Sequence, residues 1–515
     1  MSKFLYGATV QGIQDFIFKT NDLKHIVGAS ELVEQICTSA FNEFEVDGKG
    51  ESVVRAAGSI KYVYDNLDDC KKAFRNFPKK IMLMAPGVTL SQAVAAYDDD
   101  RLFGEAIDEV ERLLKTQRNK VPKNVMTGLM AIKRANNTGL PVTRVKTIKE
   151  KGADKKEVVK EEFLDDSTVQ KELNNETRLL CEKSFTHPHL MHSNVAYDIK
   201  DITGKNDWIA IIHADGNSLG KVVQKIGKKK DVFCKFSQGL DDATKNAAHA
   251  AYDALKAAKR IDESGIIPIR PVVLSGDDMT VIIRGELAIE YAKGFITAFE
   301  EETKKLLSGI LIDNNVFADH KDYLTACAGV AFIKSSYPFY YGYQLAEELC
   351  VQAKKDTKAI AKERGSEDNL PDSCLMFHKI QDSFITNYND IMKRELSVKT
   401  KTESTPLFKA GPYYLISPKD GKATIDHLEN YSKRLNGEEG NGIKSGIRNW
   451  ITLRLENKEK ATQRLRRMKG LFSDKDVETI SLLTDEKSGT CLAYDVLAYN
   501  TIMNQQTNSH DEYEV

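Results

Sequence analysis

The same succession of apolar runs and glycine turns occurs twice in this chain, which confines it to a fold built from two like halves. Set YGATVQGIQDFIF beside IIHADGNSLGKVV, and Gln11-Gly12 falls on Asp215-Gly216. Set VVRAAGSIKYVYD beside PVVLSGDDMTVII, and Gly58 falls on Gly276. IMLMAPGV beside LTACAGVAF brings Gly87 to Gly329. In the first half, periodicity predicts strands over 3–9, 53–56, 61–64 and 80–84, with helices over 13–20, 28–42, 69–76 and 101–116. In the second, it predicts strands over 208–214, 271–274, 279–283 and 324–333, with helices over 220–226, 240–259, 286–307 and 343–364. Each half is a β-α-β-β-α-β unit, a ferredoxin-like split fold. The fold class is therefore α+β: two ferredoxin-like domains of the palm or nucleotidyl-cyclase type, followed by a mainly helical C-terminal domain.

The 515 residues allow about three domains. We divide them as 1–130, a first palm; 131–205, a charged insertion or linker; 206–380, a second palm; 381–505, mainly helical; and 506–515, a disordered tail. The insertion contains KTIKEKGADKKEVVKEEFLDD, a charge run read as solvated. Lys and Arg number 74 against 75 Asp and Glu, which excludes a globally basic nucleic-acid coat protein and an acidic tail protein. No apolar run approaches the ~18 residues that span a bilayer. The 8 cysteines include no CxxC, so free thiols in the cytoplasm are expected, with no disulfide framework or zinc ribbon. MSKFLYGATVQG lacks a secretory signal pattern.

What differs between the copies carries the chemistry. Asp215 ends a hydrophobic strand, and Asp277-Asp278 sits in the hairpin of a neighbouring strand. Three carboxylates at one sheet edge raise their own pKa values unless cations neutralise them. Oxygen ligands without Cys or His favour Mg²⁺ or Mn²⁺. Two such ions can activate an attacking hydroxyl and hold a leaving phosphate, as nucleotidyl transfer requires. The aligned positions of the first copy are Gln11, Ser59 and Ile60, which hold no metal. Taken singly, Asp277-Asp278 reads as a plain turn and Asp215 as a helix cap. Together they read as a site, in which both hairpin acids reach metal only if the hairpin tip bends.

These residues resemble the catalytic palm of the large subunit of type III CRISPR effector complexes. That family carries Asp-Gly-Asp at a strand end, a Gly-Gly-Asp-Asp hairpin, a small-residue strand, Tyr-Pro and a helix ending in Ala-Lys. Here stand Asp215-Gly216-Asn217, Ser275-Gly276-Asp277-Asp278, Ala328-Gly329-Val330, Tyr337-Pro338 and Ala353-Lys354. Val10-Gln11-Gly12 with its following helix, and Gly28-Ala29-Ser30, resemble the family's degenerate palm. The resemblance implies a nucleotidyltransferase that converts ATP to cyclic oligoadenylates with release of pyrophosphate. It implies Asp215, Asp277 and Asp278 as catalytic and metal-holding residues, with a backbone carbonyl near Gly216 as a further ligand. It implies other subunits, crRNA and target RNA as partners, the RNA contacts mostly indirect, and no membrane. Departures are the first palm standing at the N-terminus with no HD nuclease unit (the only His-Asp pair is His510-Asp511), the missing four-cysteine motif, Asn217 for an acid, and Ser275 for glycine.

Gly216, Asn217, Ser218, Ser275, Gly276 and Lys354 are the candidate nucleotide-binding residues. The stretch from Gly216 to Lys221 is one residue short of a phosphate loop and reads as a strand-to-helix turn whose N–H groups can hold a triphosphate. Ser218 reads equally as a cap, and Lys354 reads somewhat more readily as a surface lysine. His213 shares a strand face with Asp215 and reads as a packed residue. Cys181, His187, His189 and His192 match no standard zinc spacing and read as a loop, so zinc is not expected. The basic run at 464–469, with Lys444, Arg448 and Trp450, reads as a solvated face before an RNA or subunit contact. Other readings of the same palm are AMP transfer from ATP to a small acceptor such as S-adenosylmethionine, a non-catalytic RNA-sensing scaffold, and a diguanylate cyclase. Met279 after the hairpin acids and the lack of an Arg-x-x-Asp inhibitory site count against the last.

Overall fold

The computed structural model of the protein describes residues 2–503 apart from 47, 49, 57, 99–101, 121–129, 152–156, 187–193, 204–206, 263–264, 382–386, 400–403, 409, 419–421, 437–439 and 487–490. The first unit runs β1 (Lys3–Gln11), α1 (Ile13–Ile17), α2 (Leu23–Cys37), β2 (Gly50–Ala56), β3 (Ser59–Tyr64), α3 (Leu67–Met84), β4 (Thr89–Tyr97) and α4 (Phe103–Arg118). Its sheet has the order β2-β3-β1-β4, the ferredoxin-like arrangement. Then come β5 (Arg144–Lys151), β6 (Glu157–Leu164), α5 (Asp166–Asn174), α6 (Leu179–Ser184) and α7 (Ile199–Thr203).

The second unit runs β7 (Trp208–Gly216), α8 (Leu219–Ile226), α9 (Lys230–Ala257), β8 (Ile269–Ser275), β9 (Asp278–Arg284), α10 (Ala288–Asp313), β10 (Ala326–Lys334) and α11 (Phe339–Glu363). Its sheet repeats the order β10-β7-β9-β8 and is extended by β11 (Cys374–Lys379), parallel to β10, and then by β14 (Tyr413–Tyr414). After β11 come α12 (Tyr388–Arg394) and a small ribbon of β12 (Ser397–Lys399) and β13 (Ser404–Pro406). The last region packs α13 (Ile425–Arg434), α14 (Gly440–Glu456), α15 (Lys458–Lys469), α16 (Asp474–Leu483) and α17 (Ala493–Met503) around buried Ile447, Trp450 and Leu483. The strands of the second palm are apolar on both faces because helices pack on both: α9 and α10 of the same palm, and α11 together with α2 of the first palm. Ile209, Ile211 and Ile212 are fully buried.

Three expectations need correction. The run Lys80–Met84 is the end of helix α3, and the fourth strand is Thr89–Tyr97. Helix α3 passes through Pro78, whose missing N–H leaves the Phe74 carbonyl without its helical donor; Gln92 Nε2 on β4 donates to that carbonyl at 2.8 Å. The charged insertion contains a full antiparallel hairpin, β5 with β6, and α5 packs against the first palm, where buried Lys171 donates to the Phe16 carbonyl at 2.6 Å. The register of the repeat is also different. Gly12 and Ser218 are the two left-handed residues that start α1 and α8, at φ 63° and 62°. Thr9 pairs with Ser59 and Ser91 as its two neighbours, and Asp215 pairs with Cys327. Ala56 faces Ser59 across the first hairpin, as Ser275 faces Asp278 across the second. Thr9, Gly58 and Ser59 therefore stand where Asp215, Asp277 and Asp278 stand, in place of Gln11, Ser59 and Ile60. The first copy still carries no acid at any of the three positions.

The palms meet through α1, α2 and α11. Gln14 Nε2 donates to the Tyr343 hydroxyl at 2.9 Å, Phe18 stacks on the Tyr343 ring at 4.7 Å, and Asn21 caps α11 by accepting from the Phe339 N–H at 3.1 Å.

Candidate metal and nucleotide site

The site forms where β7 ends beside the β8–β9 turn. Because Ser275 pairs with Asp278, only Gly276 and Asp277 form the turn. Gly276 takes φ +65°, which a two-residue hairpin turn with glycine at its first position needs. Helix α9 anchors the turn: Thr244 Oγ1 donates to the Gly276 carbonyl at 2.6 Å, and the Gly276 N–H donates to Asp241 at 3.3 Å. Asp277 thus lies in the turn and escapes the strand alternation that would separate it from Asp278.

Asp215 is the centre of the cluster. One ligand atom each from His213, Asp215 and Asp278 lie within 4.8 Å of one another. Asp277 approaches from the turn and lies over Gly216. A β-carbon on Gly216 would stand 2.9 Å from Asp277 Cβ and 3.0 Å from its Oδ2, so glycine is needed for this closure. Both hairpin carboxyls lie within hydrogen-bonding reach of Asp215. Burial, then Asp278 and Asp215, hold the Asp277 carboxyl well above the usual carboxylate range. Burial, then Asp215, push Asp278 up to about 7. Carboxyls so raised call for a cation.

Lys354 on α11 supplies positive charge here. Its ammonium pairs with Asp215 and donates to the Gly216 carbonyl at 2.7 Å. Burial works against its charge, and Asp215 more than offsets this, so its pKa is raised. Its side chain is only 15% exposed, which corrects the surface reading.

The other candidates divide. Asn217 is fully buried and turned away from the acids: its Nδ2 donates to Thr325 Oγ1 at 3.0 Å, and Cys327 Sγ donates to its Oδ1 at 3.4 Å. It fastens the strand-to-helix turn to β10 and offers nothing to a ligand. Gln11 fastens the first palm in the same way, through Ser91. Ser218 makes no side-chain cap bond and lines a cavity of about 560 Å³ with Gly220, Lys221, Lys358 and Lys362 at the start of α8. Ser275 is buried at the hairpin entrance. Cys181 is buried in α6, and His187, His189 and His192 lie outside the described residues, as does His510-Asp511. Sequence reasoning missed Glu347, whose carboxyl is raised by burial, Glu348 and Asp215, and Thr280, which stands 3.1 Å from His213 Nδ1. Neither is part of a motif.

The carboxyls of Asp215, Asp277 and Asp278 make an oxygen-rich donor set whose chemistry fits a hard divalent ion. Fold and site together define a double-palm protein of the nucleotidyl-cyclase-like class, with the three clustered carboxyls in the second palm and none at the matching positions of the first.

Residues 208–361 match the family model described as Cas10/Cmr2, second palm domain. Among solved structures, the chain overlies a Csm1-Csm4 cassette in complex with cA4 with a TM-score of 0.53 at 12% identity, over 97% of this chain and 69% of that one. A Csm1-Csm4 cassette in complex with pppApApA gives 0.52 at 13%, over 97% and 69%. The cassette with one ATP gives 0.52 at 13%, over 97% and 70%. No curated protein matches. Residues 208–361 are thus similar to a Cas10/Cmr2 second palm domain, and the fold of the chain is that seen in the Csm1-Csm4 cassettes. No helix among the described residues is long and apolar enough to cross a membrane.

Proposed function

We propose that this chain is the nucleotidyltransferase subunit of a type III CRISPR antiviral complex, joining ATP into cyclic oligoadenylates with release of pyrophosphate. The observation that carries this reading is the convergence of Asp277 and Asp278 on Asp215, with Lys354 paired to Asp215, in one palm only. The resemblance to cassettes bound to ATP, pppApApA and cA4 supports it, since those ligands are a substrate, a linear product and a ring.

When bound, a divalent ion would polarise the α-phosphate and favour the attacking hydroxyl as its alkoxide. Asp215 and Asp278 would hold it, with Asp277 and the Gly216 carbonyl completing the oxygen set. Lys354 would neutralise charge on the departing pyrophosphate. The turn N–H groups near Ser218 and the lysines of the neighbouring cavity would orient the triphosphate. Gln14, Val33, Glu34 and Gly58 of the first palm line a cavity together with His213 and Asp278 and would limit the access of water there. Partner subunits and RNA would set when the site is open.

Mass spectrometry of products from ATP, with the chain alone and in its assembled complex, tests the reading. Ring-closed or linear 3′–5′ oligoadenylates with stoichiometric pyrophosphate are expected. An adenylylated small acceptor instead would replace it with AMP transfer, and tight ATP binding without turnover in the complex would replace it with a scaffold role.

A further inference from the structure

The two palms differ at one more pair of positions. His213 on β7 pairs in register with Thr280 on β9, and the corresponding pair in the first palm is Gly7 with Lys61. The imidazole and its fixing hydroxyl therefore appear only in the palm that carries the acids. His213 lies two residues before Asp215, so both side chains leave the same face of the strand. A ring nitrogen of His213 lies within 4.8 Å of oxygens from both Asp215 and Asp278. Its Nδ1 stands 3.1 Å from Thr280 Oγ1. An imidazole that ligates a metal almost always gives its other N–H to an oxygen, which fixes ring orientation and tautomer. Thr280 Oγ1 is placed to take that part; with the proton on Nδ1, Nε2 carries the lone pair.

The ring is braced from the first palm as well. The Tyr343 ring meets His213 edge-on at 5.8 Å. Tyr343 is itself held by Gln14 through its hydroxyl and by Phe18 through stacking. The first palm thus reaches the cluster through Tyr343.

We propose that His213 is a nitrogen ligand of the cation shared by Asp215 and Asp278, and that it tilts the site from Mg²⁺ toward Mn²⁺ and later first-row ions. This rests on the reading of Asp215 and Asp278 as cation ligands. Mg²⁺ prefers an all-oxygen octahedron and binds imidazole weakly, whereas Mn²⁺, and more strongly Co²⁺ and Zn²⁺, accept it. Nitrogen in the set makes the choice of ion a property of this chain's strand, separate from the acids.

Mn²⁺ alone, added to the full chain without nucleotide, is the probe. Pulsed electron paramagnetic resonance of the bound ion is expected to show coupling to a directly bonded imidazole nitrogen. His213→Gln should remove that coupling and weaken Mn²⁺ binding about tenfold or more, with Mg²⁺ binding changed less than about twofold. Thr280→Val, which leaves the imidazole present, should reduce Mn²⁺ affinity and broaden the nitrogen signal. Because the coupling is read first on the unaltered protein, a folding failure of either variant does not shelter the proposal. Mn²⁺ that binds in an Asp278-dependent way without nitrogen coupling overturns the role of His213 and leaves the carboxylate site standing. Mn²⁺ binding unaffected by Asp215→Asn and Asp278→Asn overturns the cation site itself.

Discussion

Thr9 in the first palm and Asp215 in the second occupy the same register position, each on the strand that lies between the hairpin and the fourth strand of its ferredoxin-like unit. A threonine hydroxyl cannot hold a divalent ion against water, whereas a carboxylate flanked by two more can. We therefore expect Asp215→Asn, Asp277→Asn and Asp278→Asn each to lower ATP turnover by about two to three orders of magnitude with little loss of fold. Thr9→Ser should leave turnover within about twofold. Radiolabelled ATP and separation of products give both numbers, and a fully active Asp278→Asn would count against the assignment.

The Lys354 ammonium sits on Asp215 and the Gly216 carbonyl, so it should compete with a cation there in the absence of nucleotide. Lys354→Gln should therefore have opposite effects on two readouts. Cation affinity without ATP should rise, and turnover of ATP should fall by about tenfold or more, because the triphosphate loses its counter-charge. Calorimetric Mn²⁺ titration beside steady-state kinetics separates the two. A fall in both would mean that Lys354 only supports the local structure.

The acid cluster also sets a pH dependence. Burial and Asp215 raise the Asp278 carboxyl to about 7, and Asp277 is raised as well. Groups whose folded pKa lies above the unfolded value (~3.9) bind more protons when folded. Their contribution is complete below about 4 and is lost as pH rises through about 7. Ion-free protein should melt at a lower temperature at pH 8 than at pH 5.5, saturating Mn²⁺ should remove much of the difference, and Asp278→Asn should make the slope shallower. An ion-free melting temperature unchanged by Asp278→Asn at every pH would contradict this.

Close packing of β10 on α11 makes a further prediction. A β-carbon on Gly329 would lie 1.9 Å from the Ala346 carbonyl oxygen and 2.6 Å from the Cys350 nitrogen. Gly329→Ala must push the helix off the sheet and should cost about 3 kcal/mol or more. Gly220→Ala, with open space around it, should change stability by about 1 kcal/mol or less. Chemical denaturation of the two variants makes the comparison.

The second palm was legible because its strands are unbroken apolar runs and its turn is Ser-Gly-Asp-Asp, so composition and spacing agree. The first palm's last strand was not. Ile81-Met82-Leu83-Met84 has the look of a buried strand, yet Met82 and Leu83 are 70% and 78% exposed while Ile81 is buried and Met84 packs against the core. Strand β11 was hidden because it joins the sheet parallel to β10 across the whole of α11, and no local pattern announces such a partner. The β5–β6 hairpin was hidden because its alternation is buried in charge. Within the site, the acids and Lys354 stand in motifs. His213 does not, and its neighbour Thr280 becomes visible only once the β7–β9 register is known. The repeat itself was legible, but its register was misread, because Gly58 and Gly276 look alike in sequence while one ends its turn and the other begins it.

On the proposed function, Asp215 and the 277–278 turn of the second palm hold a divalent ion and the matching positions of the first palm hold none. Anomalous diffraction at the manganese edge, from crystals grown with Mn²⁺ and a nonhydrolysable ATP analogue, tests it most directly. The account predicts a peak bonded to Asp215 and Asp278 with the analogue's phosphates beside it, and no peak next to Thr9. A peak at Thr9, or nucleotide bound in the second palm with no manganese among its acids, would contradict it.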